Sequence, residues 1–268
     1  MSSLIVQKNL RAATKGLNAA LEQLTTGYKI NHSKDNPADY AVMKKMESKL
    51  SAWGVASDNI SIGQSMLETA DSNAELIANH LSRIRDLCQQ AANGTYGEQS
   101  VKAIKEEIKA RSDEILRIKE GAEFNDIKLF GEYNGNGELI SKPINIQVGI
   151  DSGESSRIKI DTTMDLSSMS EIDGWDVTNP ECLDKLDKML DEVSAYQVRI
   201  GSAQNRLSCA LELAEVNMNS LTSSISTIKD ADIAEASSNL IRFQILQQAC
   251  ATLLATANQM PAMALQLI

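Results

Sequence analysis

Charge is missing from one end of this chain. The last 26 residues, Phe243 to Ile268, hold no Asp, Glu, Lys or Arg, although the whole is 23% charged with a formal net charge of −10. A helix apolar on most sides must bury them somewhere. A bilayer is a poor destination, because Gln244, Gln247, Gln248, Asn258, Gln259, Gln266 and Pro261 interrupt the segment and hydrocarbon penalises unpaired amides. Burial against copies of the same chain remains. Aromatic residues are scarce as well, at 4%, and there are four prolines. Few rings and few breakers exclude a thick globular core and favour long helices packed side by side. The acidic balance excludes nucleic acid, whose phosphates need a basic face. Basic residues at Lys8, Arg11 and Lys15 break the apolar start, so a cleaved signal peptide is not expected, and neither is a membrane span.

Catalytic apparatus is missing too. There are two histidines, and neither His32 nor His80 begins an HExxH zinc motif. No Walker-type phosphate loop and no GxSxG occur. The loop Gly131 to Gly137 reads as glycine punctuation, and acid pairs such as Glu106–Glu107 and Asp191–Glu192 read as solvated helix faces. His80 reads as a surface residue. Cys88, Cys182, Cys209 and Cys250 form no CxxC pair and read as free thiols, able to cross-link if two met in an array. No enzyme, cofactor or metal site is expected.

What is present is helical periodicity. Val6, Leu10, Ala13, Leu17, Ala20 and Leu24 recur at three-four spacing up to Gly27, a helix terminator. Leu246, Ala249, Leu253, Thr256, Met260, Met263 and Leu267 give the charge-free tail a similar seam. Asn36 as N-cap with Pro37 behind it starts a long helix that runs to about Ala92. Its seam is Trp53, Ala56, Ile60, Gly63, Leu67, Ala70, Ala74, Ile77, Leu81, Ile84, Cys88 and Ala91. A third helix has Ile104, Ile108, Ile115, Ile118 and Ala122 inside. The period then changes: Ile144, Ile146 and Val148, then Ile158 and Ile160, predict a β-hairpin about 144–160. Residues 162–179 read as an acidic loop. A last seam takes Leu183, Leu186, Leu190, Val193, Gln197, Ile200, Gln204, Leu207, Leu211, Ala214, Met218, Leu221, Ile225 and Ile228, with the two glutamines as register-fixing polar positions.

The fold class is therefore mainly α. A coiled-coil-like helical rod carries a small hairpin, and the N- and C-terminal helices pair in a terminal domain. The expected boundaries are 1–37 and 228–268 for the inner coiled-coil domain, with 38–180 and 181–227 for the rod.

The tail, ILQQACATLLATANQMPAMALQLI, resembles the C-terminus of bacterial flagellins. LTTGYKINHSKDNPADYAV (Leu24 to Val42) is similar to their pattern LSSGxRINSAKDDAAGxAI. DNISIGQSMLETA, SRIRDLCQQAANGT, EFNDIKLF and INIQVG follow in the family's order. The resemblance implies a minimal flagellin without the outer domains that larger members insert between the two halves. It implies a structural subunit that polymerises into a helical filament for motility, by folding of its termini coupled to assembly. It implies export through the flagellar apparatus to an extracellular filament, with an export chaperone, a filament cap and hook-junction proteins as partners. Inner-core assembly falls on Leu10, Leu17, Leu24, Leu246, Leu253, Met260 and Leu267. Arg83, Leu87 and Glu107 match an arginine, a leucine and a glutamate that contact neighbouring protofilaments and the vertebrate Toll-like flagellin receptor. Arg83 and Leu87, four apart, are expected on one outward face. Asp86 and Cys88 depart from the commoner Glu and Ala. Two other roles stay open: a hook–filament junction protein, towards which Asn36–Pro37 leans, and a secreted ligand of an innate immune receptor.

Overall fold

The computed structural model describes residues 2–133, 139–140, 143–166, 169, 172, 174–179 and 181–266. Among the described residues five α-helices carry the chain: α1 (Ser2–Thr26), α2 (Pro37–Ala91), α3 (Glu98–Gly121), α4 (Glu181–Lys229) and α5 (Ile233–Gln266). Between α3 and α4 lie β1 (Glu123–Phe124), β2 (Ile127–Lys128), β3 (Glu132–Tyr133), β4 (Leu139–Ile140), β5 (Ile144–Gln147) and β6 (Arg157–Ile160). The strands pair antiparallel as β1–β2, β3–β4 and β5–β6. Two compact units result, one of residues 1–51 with 218–268 and one of residues 52–217.

Local chemistry explains the ends. The Asp39 N–H donates to Asn36 Oδ1 at 3.2 Å, an N-cap that satisfies one of the first-turn donors of α2. α1 stops because Gly27 takes φ +75°, a left-handed conformation that a side chain would strain. α2 then runs for 55 residues, about 80 Å at the rise of an α-helix. Asn125 and Asp126 both have positive φ and form the tight turn joining β1 to β2. The expected loop at Gly131 to Gly137 lies partly outside the described residues.

In the unit of residues 52–217, the seam on α2 is buried throughout except at Trp53, which is half-buried. Ile104, Ile108, Ile115, Ile118 and Ala122 are buried as well. Ser112 closes the gap in the α3 stripe by donating its hydroxyl to the Met169 carbonyl at 3.3 Å. β5 and β6 meet in register Ile144 with Ile160 and Ile146 with Ile158, so their apolar faces point the same way, and Ile146, Ile158 and Ile160 are buried. α2 and α4 run antiparallel: Arg85 Nε lies 2.5 Å from Asp187 Oδ1, and farther back Gly63 sits beside Ile146 and Leu207.

Three expectations are corrected here. Leu186, Val193, Ile200 and Leu207 are buried as expected, but between them the core takes Met189, Tyr196 and Ala203. Leu190, Gln197 and Gln204 are half-buried flank positions, so the glutamines are not seam residues. Tyr196 wins because its ring buries far more apolar surface than an amide, and its hydroxyl still finds a partner. It donates to the Leu129 carbonyl at 3.1 Å and packs 5.3 Å from the Phe130 ring. The acidic loop is also more than a loop, because Met164, Leu166, Met169, Ile172 and Val177 are buried in the core. His80, read as a surface residue, is half-buried, and its Nδ1 lies buried without a hydrogen-bond partner among the described residues.

Acid sensitivity follows from the ion pairs. The hydrogen bond from Arg85 holds Asp187 below the usual carboxylate range. Glu47 is lowered by hydrogen bonds from Lys44 and then Lys229. A carboxylate lowered by folding contributes stability that is complete above its unfolded pKa of about 4 and lost as pH falls through the folded value. The thermal midpoint is expected to hold from neutral pH to about 5 and to fall below about 4. Circular-dichroism melts across that range check it, and Asp187→Asn should flatten part of the acid limb.

Candidate assembly surface

In the unit of residues 1–51 with 218–268, α1 and α5 pack antiparallel. Gly16 of α1 meets the Phe243 ring so closely that an added Cβ would lie 2.5 Å from it. One turn along, Gln247 Nε2 donates to Thr14 Oγ1 at 3.4 Å. On α1 the expected stripe faces inward: Ala13 and Ala20 are buried, and Val6, Leu10, Leu17 and Leu24 are half-buried. On α5 the inward stripe differs from the expected one. Ala236 and Cys250 are buried, with Phe243, Gln247, Leu254 and Ala257 half-buried. Leu246 and Leu253 point away, 41% and 56% exposed. The side chain of Met260, within α5, and the whole of Leu267 lie outside what is described.

The pair therefore carries large apolar side chains on its outside as well as inside, set among polar ones such as Lys8, Arg11 and Gln248. Leu4, Ile5 and Leu21 on α1 and Ile241 and Ile245 on α5 are exposed beside Leu246 and Leu253. Large apolar side chains in such a row are characteristic of an interaction surface.

A junction that the sequence did not signal ties the end of α1 to the turn between α4 and α5. The Lys29 N–H donates to the Lys229 carbonyl at 2.6 Å, and the Ala231 N–H donates to the Gly27 carbonyl at 2.9 Å. The Lys229 ammonium lies 4.2 Å from the centre of the Tyr28 ring and 3.0 Å from Glu47 Oε1. One cation thus links three segments by a cation–π contact and an ion pair. No spacing rule points to it, because its members are far apart in sequence.

Of the three residues expected to form an outward contact cluster, two stay outside. Arg83 Nε lies 3.7 Å from Glu107 Oε1, and Glu107 also pairs with Arg111 at 3.0 Å. Leu87 instead enters the core, 2% exposed. The reason is that α2 meets two helices there, with Arg83 reaching α3 and Arg85 reaching α4. The buried stripe is wider than a two-helix seam and takes Ile84, Leu87 and Cys88 together. Among the described residues no cluster of His, Cys, Asp and Glu could hold a metal ion. No described helix is long and apolar enough to cross a membrane.

Two family models match this chain, one towards each end. The family described as bacterial flagellin N-terminal helical region matches residues 1–135. Its counterpart, the bacterial flagellin C-terminal helical region, matches residues 183–268. Flagellin of Halalkalibacterium halodurans is 32% identical over 254 residues, covering 93% of this chain and 90% of the relative. Flagellin of Listeria innocua is 30% identical over 280 residues, covering 99% and 96%. The crystal structure of Bacillus cereus flagellin is 22% identical and covers 64% of this chain and 93% of that one, with a TM-score of 0.41. Both terminal family regions and two nearly full-length relatives meet in one assignment: this chain belongs to the bacterial flagellin family.

Proposed function

We propose that this chain is the structural subunit of a flagellar filament, serving motility, and that the outward faces of α1 and α5 are buried against the same helices of neighbouring subunits. One observation carries the reading. Leu246 and Leu253 stand exposed on a helix that has no charged residue from Phe243 onward. A face of that kind gains by leaving water, and a charge placed on it would be costly to bury. Residues 1–37 and 228–268 then build the inner layer, and 38–180 with 181–227 the rod. The role is structural rather than enzymatic. Export through the flagellar apparatus without a cleaved signal, an export chaperone, a filament cap and hook-junction proteins complete the cycle. Arg83, exposed, and Glu107, half-buried beside it, are the residues left for contact between protofilaments or with the vertebrate Toll-like flagellin receptor.

Seeded assembly watched by electron microscopy tests the reading. The full chain should elongate filaments, and a version ending at Arg242 should not. The double variant Leu246→Asp, Leu253→Asp should keep its helical circular dichroism and lose elongation. Elongation at the parental rate by the double variant would sink the buried-face proposal. A full chain that caps seeds without extending them would favour the hook–filament junction role.

A further inference from the structure

Two cysteines 94 positions apart in sequence meet inside the unit of residues 52–217. Cys88 lies in the last turns of α2 and Cys182 in the first turn of α4, and their Sγ atoms stand 3.1 Å apart. Both are buried, at 1% and 4% exposure. The other two thiols are placed differently, since Cys209 is exposed and Cys250 is buried in the other unit. A disulfide bond is about 2.0 Å long, so closing one here asks the sulfurs to approach by about 1 Å, within the play of a helix's terminal turn.

We infer that Cys88 and Cys182 form an intramolecular disulfide, which pins the end of α2 to the start of α4 and closes a ring that takes in α3, the hairpins and the buried Met164, Leu166, Met169, Ile172 and Val177. The surroundings suit the chemistry. The hydrogen bond from the Cys88 thiol holds Cys182 below the ordinary thiol range; burial opposes this, and Lys185 on the same helical turn assists. Unpaired N–H groups at a helix start favour a thiolate in the same sense. The same interaction and burial push Cys88 up. Lys185 and the start of α4 are local to Cys182 and act on it before the core closes, so Cys182 is the attacking sulfur and Cys88 the resolving one.

The oxidant is a low-molecular-weight disulfide such as oxidised glutathione. The Cys182 thiolate attacks one of its sulfurs, breaking that S–S bond and releasing one glutathione thiolate. Cys88 loses its proton and attacks the Cys182 sulfur of the mixed disulfide, releasing the second thiolate. One S–S bond is broken and one made, and the two protons from the cysteines end on two glutathione thiols. Because both sulfurs lie in the core, exchange takes place as the chain folds, before the core closes. Disulfides persist outside cells, so the oxidising setting rests on the filament reading, whereas the bond itself rests only on the geometry within one chain.

The test uses the full-length Cys209→Ser, Cys250→Ser variant, refolded from denaturant with oxidised glutathione. Expected are loss of both titratable thiols and an intact mass lower by two hydrogens. The chain should remain monomeric, with one cross-linked peptide joining Cys88 to Cys182. The melting midpoint should rise by about 5–10 °C, and the rise should vanish on adding dithiothreitol and be absent when Cys88→Ser is added. Peptide mapping of the parental chain should find the same cross-link. Two glutathione adducts per chain, cross-linked dimers, unreacted thiols or a lowered midpoint on oxidation would each overturn the inference. None of these results depends on elongation, so the disulfide and the filament reading fail separately.

Discussion

Gly16→Val is expected to abolish filament elongation and to separate α1 from α5, while the unit of residues 52–217 keeps its own helical melt. Glycine inside a helix costs about 1 kcal/mol relative to alanine, so its presence there needs a reason. The Phe243 ring supplies one. A Cβ on residue 16 would lie 2.5, 2.6 and 2.7 Å from three of its ring atoms. A methyl-tipped chain can swing aside, but a ring cannot bend, so either the ring leaves its site or the helices part. Overpacking of this kind costs about 3 kcal/mol. Around it the pairing rests on Ala13 and Ala20, on the half-buried Leu10, Leu17 and Leu254, and on the long Gln247–Thr14 contact at 3.4 Å, none of which makes room for the displaced ring. Adding Phe243→Ala to Gly16→Val returns the space and should recover part of the elongation, as expected for two residues in contact. If Gly16→Val elongates like its parent, then α1 and α5 do not pack through Phe243 in the filament.

Tyr196→Ala should lower the stability of the unit of residues 52–217 by about 3–5 kcal/mol, the range for deleting a buried ring. Tyr196 is fully buried between α4 and the segment that follows α3. Its ring packs on Phe130, and its hydroxyl supplies a hydrogen bond to the Leu129 carbonyl. Burial pushes the Tyr196 phenol well above its ordinary value, so it remains a donor across the whole useful pH range. Tyr196→Phe separates the two contributions. It keeps the ring and leaves a buried carbonyl without its donor, at a cost of about 1–3 kcal/mol. Denaturant titration of the two variants beside the parent checks both values. Equal losses would mean that the hydrogen bond, not the ring, holds this part of the core.

The helices themselves were legible in the sequence, and so were several of their ends. Asn36–Pro37 placed the start of α2, Gly27 the end of α1, and Ile104 to Ala122 the inward stripe of α3. Period-two alternation found β5 and β6. Other features have no local sign. The core role of Met164, Leu166, Met169 and Ile172 was hidden because irregular backbone has no period to read. The Lys229–Tyr28–Glu47 junction and the Cys88–Cys182 approach join residues that only folding brings together. A two-helix seam leaves Leu87 outward, and it lies inward because α2 meets both α3 and α4 there.

Amino-acid order by itself determined that this protein is a set of long helices, where α1 ends and α2 begins, and that its tail must be buried somewhere. Tertiary structure alone decided which stripe faces in on α4 and α5. On α3 and on the first part of α2, charged residues mark the solvent side, and the stripe can be read in advance. On α4, Tyr196 and Gln197 compete for adjacent positions, and only the Leu129 carbonyl and the Phe130 ring settle the choice. On α5 past Phe243 no charge marks an outside, so periodicity fits more than one stripe. There the fit of the Phe243 ring against Gly16 sets the register, turning Leu246 and Leu253 outward.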